Sequence, residues 1–185
     1  MKPQISVVIP ARNEEAQIVE TISALLDAVV VFEGTSCGEV DLRQGLVEVI
    51  VVDNASTDAT VSLLSPFVER YGVQVLTSQR LGAPKARNDG ATIARGEILV
   101  FVDADTWVPP NLLRKVRALV CDEKYQAGVF RLESQEPGLR AMLFWEFWGF
   151  ARRFPLAKAK AMPACMFSTR AVFDELGPFD EAVLI

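Results

Sequence analysis

Short apolar runs alternate along this chain with stretches whose apolar residues recur every three or four positions. That alternation narrows the fold more than any other feature. Ile5–Ile9, Val47–Val52, Val73–Leu76 and Ile98–Val102 are near-continuous apolar or β-branched runs of strand length. Runs without polar alternation are expected of strands covered on both faces. Between them, Ile18, Ile22, Leu25, Leu26 and Val29 fall at helical spacing, as do Val61, Leu64, Val68 and Tyr71. A further helix opens at Gly82-Ala-Pro84 and stops at Gly96, and another carries Leu112, Leu113, Val116, Leu119 and Val120 after Pro109-Pro110. Strands alternating with helices predict an α/β fold with a mostly parallel sheet and right-handed crossovers. At 185 residues the chain is one domain or most of one.

Several finer expectations follow. Asn13 is placed to cap the first helix, with Glu14 and Glu15 in its first turn complementing the helix dipole. Residues 33–46, with three glycines and mixed charges, read as a long loop. Asn54-Ala-Ser-Thr-Asp58 supplies a turn and a cap, and Pro66 predicts a kink or a break in the helix that follows. Val129–Leu132 reads as an antiparallel strand, Ala164–Ser168 as another, Arg170–Leu176 as a short helix, and Gly177-Pro178 as a turn. Leu139–Phe154 places Phe144, Trp145, Phe147, Trp148, Phe150 and Phe154 on a helical pattern ending in Arg152-Arg153. It reads as a core or lid helix, or as an amphipathic surface meeting a membrane or lipid-linked substrate. Lys158, Lys160 and Arg170 add local positive charge.

Composition removes whole classes of function. A net charge of −5 without a basic stripe argues against nucleic-acid binding. Histidine is absent, which excludes a Ser-His-Asp triad, a histidine zinc site and a histidine general base within these residues. Cys37, Cys121 and Cys165 lie far apart without metal-type spacing and read as reduced core thiols of a cytosolic protein. The amino-terminal apolar run is too short for a signal peptide, and no apolar segment approaches membrane-spanning length.

The chemistry-bearing residues stand where the strands end. Ile98–Val102 stops at Asp103 and Asp105, separated by Ala104; Val47–Val52 stops at Asp53. On a strand, positions two apart face the same way, and two carboxylates so placed repel unless a cation or proton lies between them. Oxygen-only ligation suits Mg2+ or Mn2+, which commonly share a carboxylate or two with a substrate diphosphate. In parallel α/β sheets ligands bind outside the carboxyl ends of the strands.

Taken together, Ser6-Val-Val-Ile-Pro-Ala-Arg-Asn-Glu-Glu15, Val51-Val-Asp-Asn-Ala-Ser-Thr-Asp58, Gly82-Ala-Pro-Lys-Ala-Arg-Asn-Asp-Gly90, Gly96-Glu-Ile-Leu-Val-Phe-Val-Asp-Ala-Asp105 and Phe167-Ser-Thr-Arg-Ala-Val-Phe-Asp-Glu-Leu-Gly-Pro-Phe-Asp180 resemble the family 2 nucleotide-sugar glycosyltransferases of GT-A fold. The resemblance runs from Ile5 to the end of the chain. It implies a single GT-A domain over 1–185, with a nucleotide-sugar-binding half at 1–110 and a partial acceptor-side half at 111–185. It also implies a metal-dependent, inverting transfer of sugar from a nucleoside-diphosphate donor to an acceptor hydroxyl. Pro10, Ala11 and Glu14 would then contact the nucleoside, Asp53 the base, and Arg87 the nucleotide. Asp103 would face the ribose of the donor or the metal, Ala104 would lie against the donor, and Asp105 would ligate the divalent cation, Mg2+ or Mn2+. The acceptor stays open, lipid-linked and membrane-proximal ones among the candidates, which suits a cytoplasmic protein peripheral at the inner face of a membrane.

One departure stands out. Family members place an acidic pair, site of the catalytic base, shortly after the Gly-Pro-Phe-Asp-Glu segment, whereas this sequence ends at Ile185 first. Asp180 and Glu181 precede the expected place and are assigned to the turn, so the sequence reads as a fragment with the base beyond Ile185. Two alternatives accompany the transferase: a nucleotide-sugar-binding remnant without transfer activity, and a haloacid-dehalogenase-type phosphatase, whose first motif Phe101-Val-Asp-Ala-Asp-Thr106 resembles.

Overall fold

β1 (Ile5–Ala11), β2 (Val47–Asp53), β3 (Gln74–Thr77) and β4 (Ile98–Val102) lie parallel, with β1 between β2 and β4 and β3 outside β2. The computed structural model describes residues 2–78, 80–130 and 164–182. Among these, β6 (Cys165–Thr169) pairs antiparallel with β4, and β5 (Ala127–Val129) pairs antiparallel with β6. The resulting mixed six-stranded sheet has the order β3-β2-β1-β4-β6-β5. The predicted α/β class and mostly parallel sheet therefore hold.

Both faces of the central strands are covered, which is why their sequences lack polar alternation. Ile5, Val7, Ile9, Val49, Val51, Val100 and Val102 face one layer. That layer consists of α1 (Ile18–Glu33), α2 (Thr60–Tyr71) and α4 (Leu112–Cys121), through Ile22, Leu25, Leu64, Leu113 and Val116. Val8, Ile50, Val52, Leu99 and Phe101 face the other, meeting Ala86 and Ala91 of α3 (Ala83–Ile93) and Phe173 of α5 (Arg170–Leu176). On α3, Gly90 lets the helix approach the sheet: a Cβ there would lie 2.3 Å from Val8 Cγ1 and 3.0 Å from Val52 Cγ2.

Four local expectations are corrected. Asn13 does not cap α1, which begins five residues later at Ile18 with Gln17 as its N-cap and no side-chain capping bond. Asn13 instead adopts φ 55° and binds the loop after β2. β1 continues through Pro10 rather than ending before it. Pro10 is paired only with Val52, because pairing to β4 stops at Val8, so its missing N–H interrupts no second ladder. α2 runs unbroken past Pro66. Cys37 and Cys121 are exposed, leaving Cys165 as the one core thiol among the three, all of them free.

Smaller adjustments concern ends. β3 is shifted one residue from Val73–Leu76, and β5 ends at Val129 rather than starting there, because register is set by partner strands and not by local composition. Within the loop of 34–46, Cys37–Glu39 forms a 3-10 turn closed by a reciprocal Ser36–Glu39 capping box. Arg170 adds no surface charge of the kind expected. Its guanidinium donates to the carbonyls of Ala91, Ala94 and Gly96 at 3.1, 2.7 and 3.2 Å, closing the carboxyl end of α3. The aromatic stretch 139–154, Lys158 and Lys160 lie outside the described residues. No described helix is long and apolar enough to cross a membrane.

Candidate active site at the carboxyl ends of the strands

Three loops leave the same edge of the sheet, after β1, β2 and β4, and the first two are tied together by side chains. Asn13 Oδ1 accepts from the Thr57 N–H at 2.8 Å, while its own N–H donates to Ser56 Oγ at 3.0 Å. The Glu14 N–H donates to Thr60 Oγ1 at 2.8 Å, and Glu15 Oε2 accepts from the Ala59 N–H at 2.9 Å. Glu15 thus serves the amino end of α2 rather than that of α1. Left-handed backbone at Asn13 and at Ala55 (φ 58°), both non-glycine, shows how tightly these facing loops turn.

Asp53 is buried, 5% exposed, at the last position of β2. Its Oδ1 accepts from the Ser56 N–H at 3.1 Å, so the carboxylate closes the turn while its position at the strand end is fixed. Asn54 follows, also buried, and is a residue the sequence did not single out. Its N–H donates to the Ala11 carbonyl at 2.8 Å, and its side chain bridges the Arg80 carbonyl (2.8 Å) and the Gly82 N–H (2.7 Å). Pro10 and Ala11 are themselves buried in β1. Because the Ala11 carbonyl is taken by Asn54, these two residues form the floor of the edge.

The β4 end differs from the sequence geometry in one respect. β4 stops at Val102, and the Thr106 N–H donates to the Asp103 carbonyl at 3.1 Å, so Asp103 and Asp105 sit in a turn. Strand alternation does not govern their directions. Asp103 is partly buried and paired with the buried guanidinium of Arg87 on α3, while Asp105 is exposed. Burial raises the Asp103 pKa and the Asp105 charge adds to this, against the opposing pull of Arg87. Ala104 between them is buried, its carbonyl accepting from Thr21 Oγ1 at 2.7 Å, which ties the turn to α1. Asp89, two residues from Arg87, is instead paired with Lys85 and accepts from Ser78 Oγ.

Glu14 completes the arrangement. Its pKa is raised, first by burial and then by the charges of Asp105, Asp103 and Asp58. Carboxylate charge from the loops after β1, β2 and β4 therefore gathers at the strand edge. Among the described residues no three His, Cys, Asp or Glu side chains are spaced to hold a metal ion by themselves. Such a donor set fits a cation that takes one or two carboxylates and completes its shell with oxygens of a bound ligand. Below Asp103, the Cys165 thiol is pushed up to about 12 by burial and by the Asp103 charge, which leaves it inert.

Asp180 bonds within the turn, whereas the Glu181 carboxylate reaches across to α3. Asp180 Oδ1 accepts from the Ala182 N–H at 3.0 Å, and Glu181 Oε1 accepts from Asn88 Nδ2 at 3.1 Å. Asn88, also unmarked by the sequence reading, is 8% exposed on α3. No periodicity distinguishes a buried asparagine from a solvated one, so nothing in the Arg-Asn and Asp-Asn dipeptides signalled either residue.

Comparison with known proteins bears on this edge and on the sheet behind it. The poly(ribitol-phosphate) beta-glucosyltransferase of Bacillus spizizenii is 32% identical over 113 residues, covering 60% of this chain and 16% of that protein. Staphylococcus aureus TarS 1-349 in complex with UDP-GlcNAc superposes with a TM-score of 0.68 at 19% identity, over 97% of this chain and 49% of that one. The mannosyltransferase PcManGT from Pyrobaculum calidifontis, in complex with GDP-Man and Mn2+, gives 0.67 at 23% identity, over 99% and 49%. The chain spans half or less of the length of these proteins, and the structural likeness establishes the GT-A fold. Residues 6–176 match the family described as Glycosyl transferase family 2. The match takes in every strand edge just described, and the chain belongs to that family.

Proposed function

We propose that this chain binds the nucleoside-diphosphate end of a sugar donor in a metal-dependent manner, within residues 1–110. The protein would transfer that sugar to an acceptor hydroxyl, with inversion by single displacement. The observation that carries the reading is the arrangement at the carboxyl ends of the strands, where Asp103 pairs with the buried Arg87 and Asp105 stands exposed two residues on, with Glu14 on the loop after β1. Carboxylates forced together without enough positive charge favour a cation, and the exposed Asp105 is the one best placed to share it with a diphosphate. A divalent cation bound there supplies positive charge for the departing nucleoside diphosphate.

The chain's own residues do the rest. Asp53, fixed at the end of β2 by the Ser56 N–H, offers its carboxylate to a base N–H. Pro10 and Ala11 floor the nucleoside side, and Glu14 borders it. Arg87 orients Asp103 toward the donor, while Ala104, pinned by Thr21, sets the turn between the two aspartates. The engagement of Asp180 with its own turn and of Glu181 with Asn88 and Arg80 supports a catalytic base supplied from elsewhere. Membership of family 2 displaces the phosphatase alternative, and a donor-binding remnant is separated from a transferase by assaying turnover of the donor. A cytoplasmic setting, peripheral at the inner face of a membrane, belongs to the same proposal and is supported by three free cysteines.

Calorimetry with UDP in the presence and absence of Mn2+ tests the donor site. UDP is expected to bind with Mn2+ and to lose that metal dependence in Asp105→Asn. Equal affinity in the presence of chelator, or in the variant, would remove Asp105 from the metal.

A further inference from the structure

Asn88 makes a long-range connection that runs on to its neighbour Arg87. Its side-chain amide meets both polar groups of the Phe179 peptide. Asn88 Oδ1 accepts from the Phe179 N–H at 2.9 Å, and Nδ2 donates to the Phe179 carbonyl at 3.0 Å. Nδ2 also reaches Glu181 Oε1 at 3.1 Å, whose other oxygen lies 3.8 Å from Arg80 Nη2. Only a primary amide presents a peptide-like donor and acceptor side by side, so Asn88 holds residue 179 as a strand partner would, across 91 residues of chain.

The ring so held is not peripheral. Phe179 stands edge-on to Phe101 with ring centroids 5.0 Å apart and at 5.9 Å from Phe173, completing the apolar cluster on that face of the sheet. Its face lies 5.9 Å from the Arg87 guanidinium carbon, on the next residue of the same helix. Arg87 in turn meets Asp103 at the end of β4, two residues beyond Phe101. A peptide clasp, an aromatic ring, a guanidinium and a carboxylate thus form one chain of contacts that ends in the candidate donor site.

We propose that Asn88 is a positioning residue of that site: by clasping the Phe179 peptide it seats the ring that walls Arg87, and so holds the guanidinium on Asp103. The inference rests on the donor-binding reading above. It deepens that reading by giving the segment 177–182 a part in donor affinity.

The test is UDP affinity with Mn2+, measured by calorimetry alongside thermal melting. Asn88→Ala is expected to weaken UDP about tenfold, the size of coupling found between residues in contact. In an Arg87→Lys background the same change should add little, because the guanidinium it positions is gone. Phe179→Leu, which keeps the peptide clasp and removes the ring, should reproduce most of the loss. Thr92→Ala, one turn along α3 and hydrogen-bonded only to the Asn88 carbonyl, should leave affinity unchanged. If Asn88→Ala fails to fold, Asn88→Asp keeps the acceptor for the Phe179 N–H and loses the donor, and should give a partial loss. Wild-type affinity in Asn88→Ala, or an equal loss in both Arg87 backgrounds, overturns the positioning role while leaving the donor site standing. Absence of UDP binding in the wild type overturns the donor reading, and this inference with it.

Discussion

The Asp53 carboxylate accepts the Ser56 N–H and at the same time stands at the carboxyl end of β2, so turn capping and donor contact are compatible roles for one side chain. They differ in what their loss does. Asp53→Ala should lower stability through the turn in either case, but if the base is a partner it should also weaken nucleoside binding without metal. A hydrogen bond to a charged group is worth about 1.5–3 kcal/mol, roughly 10- to 150-fold in affinity. Titrating uridine into the folded variant in chelator decides between them, and unchanged affinity in a less stable protein would reduce Asp53 to its turn. Arg87 shows a related point. Asp89 lies two residues along the same helix, yet Arg87 reaches Asp103. Lys85 sits one helical turn before Asp89 and takes it, and α3 is pressed on the sheet so that Arg87 faces the end of β4.

At the scale of elements, α3 is the piece that places the site. Its amino end carries Arg87 and Asn88 to the strand edge, and its carboxyl end is closed by Arg170 from α5. Its height over the sheet is set by Gly90, whose missing side chain leaves room for Val8 and Val52. Gly90→Ala should therefore destabilise the fold although alanine favours a helix by about 1 kcal/mol over glycine. Val8 is fully buried, β-branched and held by strands on both sides, so it has little freedom to yield. A net loss of about 1–3 kcal/mol is expected from overpacking of this kind, measured by urea unfolding. A variant as stable as wild type would mean that α3 can lift, and its UDP affinity should then fall as Arg87 leaves Asp103.

Across the whole molecule, the edge opposite the site carries its own polar junction. Glu48, the one charged residue in the apolar run of β2, is 1% exposed. It accepts from Ser6 Oγ on β1 (2.6 Å), the Arg95 N–H (2.6 Å) and guanidinium (3.0 Å) beyond α3, and Gln74 on β3 (3.3 Å). Burial works to raise its pKa, but these hydrogen bonds and the Arg95 charge together outweigh it and hold the carboxyl below its ordinary value. A group depressed in the folded state contributes stability above its unfolded pKa and loses it as pH falls through the folded one. Glu48→Gln should therefore cost about 1.5–3 kcal/mol near neutral pH. The gap to wild type should narrow as the pH is taken down into the acid range, through the lowered folded pKa, where Glu48 loses its charge and comes to resemble the glutamine. Denaturant titrations at neutral and acid pH check this, and a gap independent of pH would show that the charge contributes nothing.

The sequence by itself determined the layered α/β order, because strands covered on both faces must be apolar throughout and the helices between them must carry a stripe. It also marked the strand ends, since Asp53, Asp103 and Asp105 interrupt runs that tolerate no charge in their interior. Glu48 is the exception, and it is held by Ser6, Gln74 and both the N–H and the guanidinium of Arg95. Tertiary structure alone decided which ends meet. Asn13 left its expected helix cap for Thr57 and Ser56 on a facing loop, Glu15 capped α2 instead of α1, and Arg170 crossed to α3. In each case a local partner lost to one brought close by β1 lying between β2 and β4, or by β6 returning antiparallel along β4. Local pattern encodes what a residue can bond; which bond forms is set by the neighbours that strand order supplies.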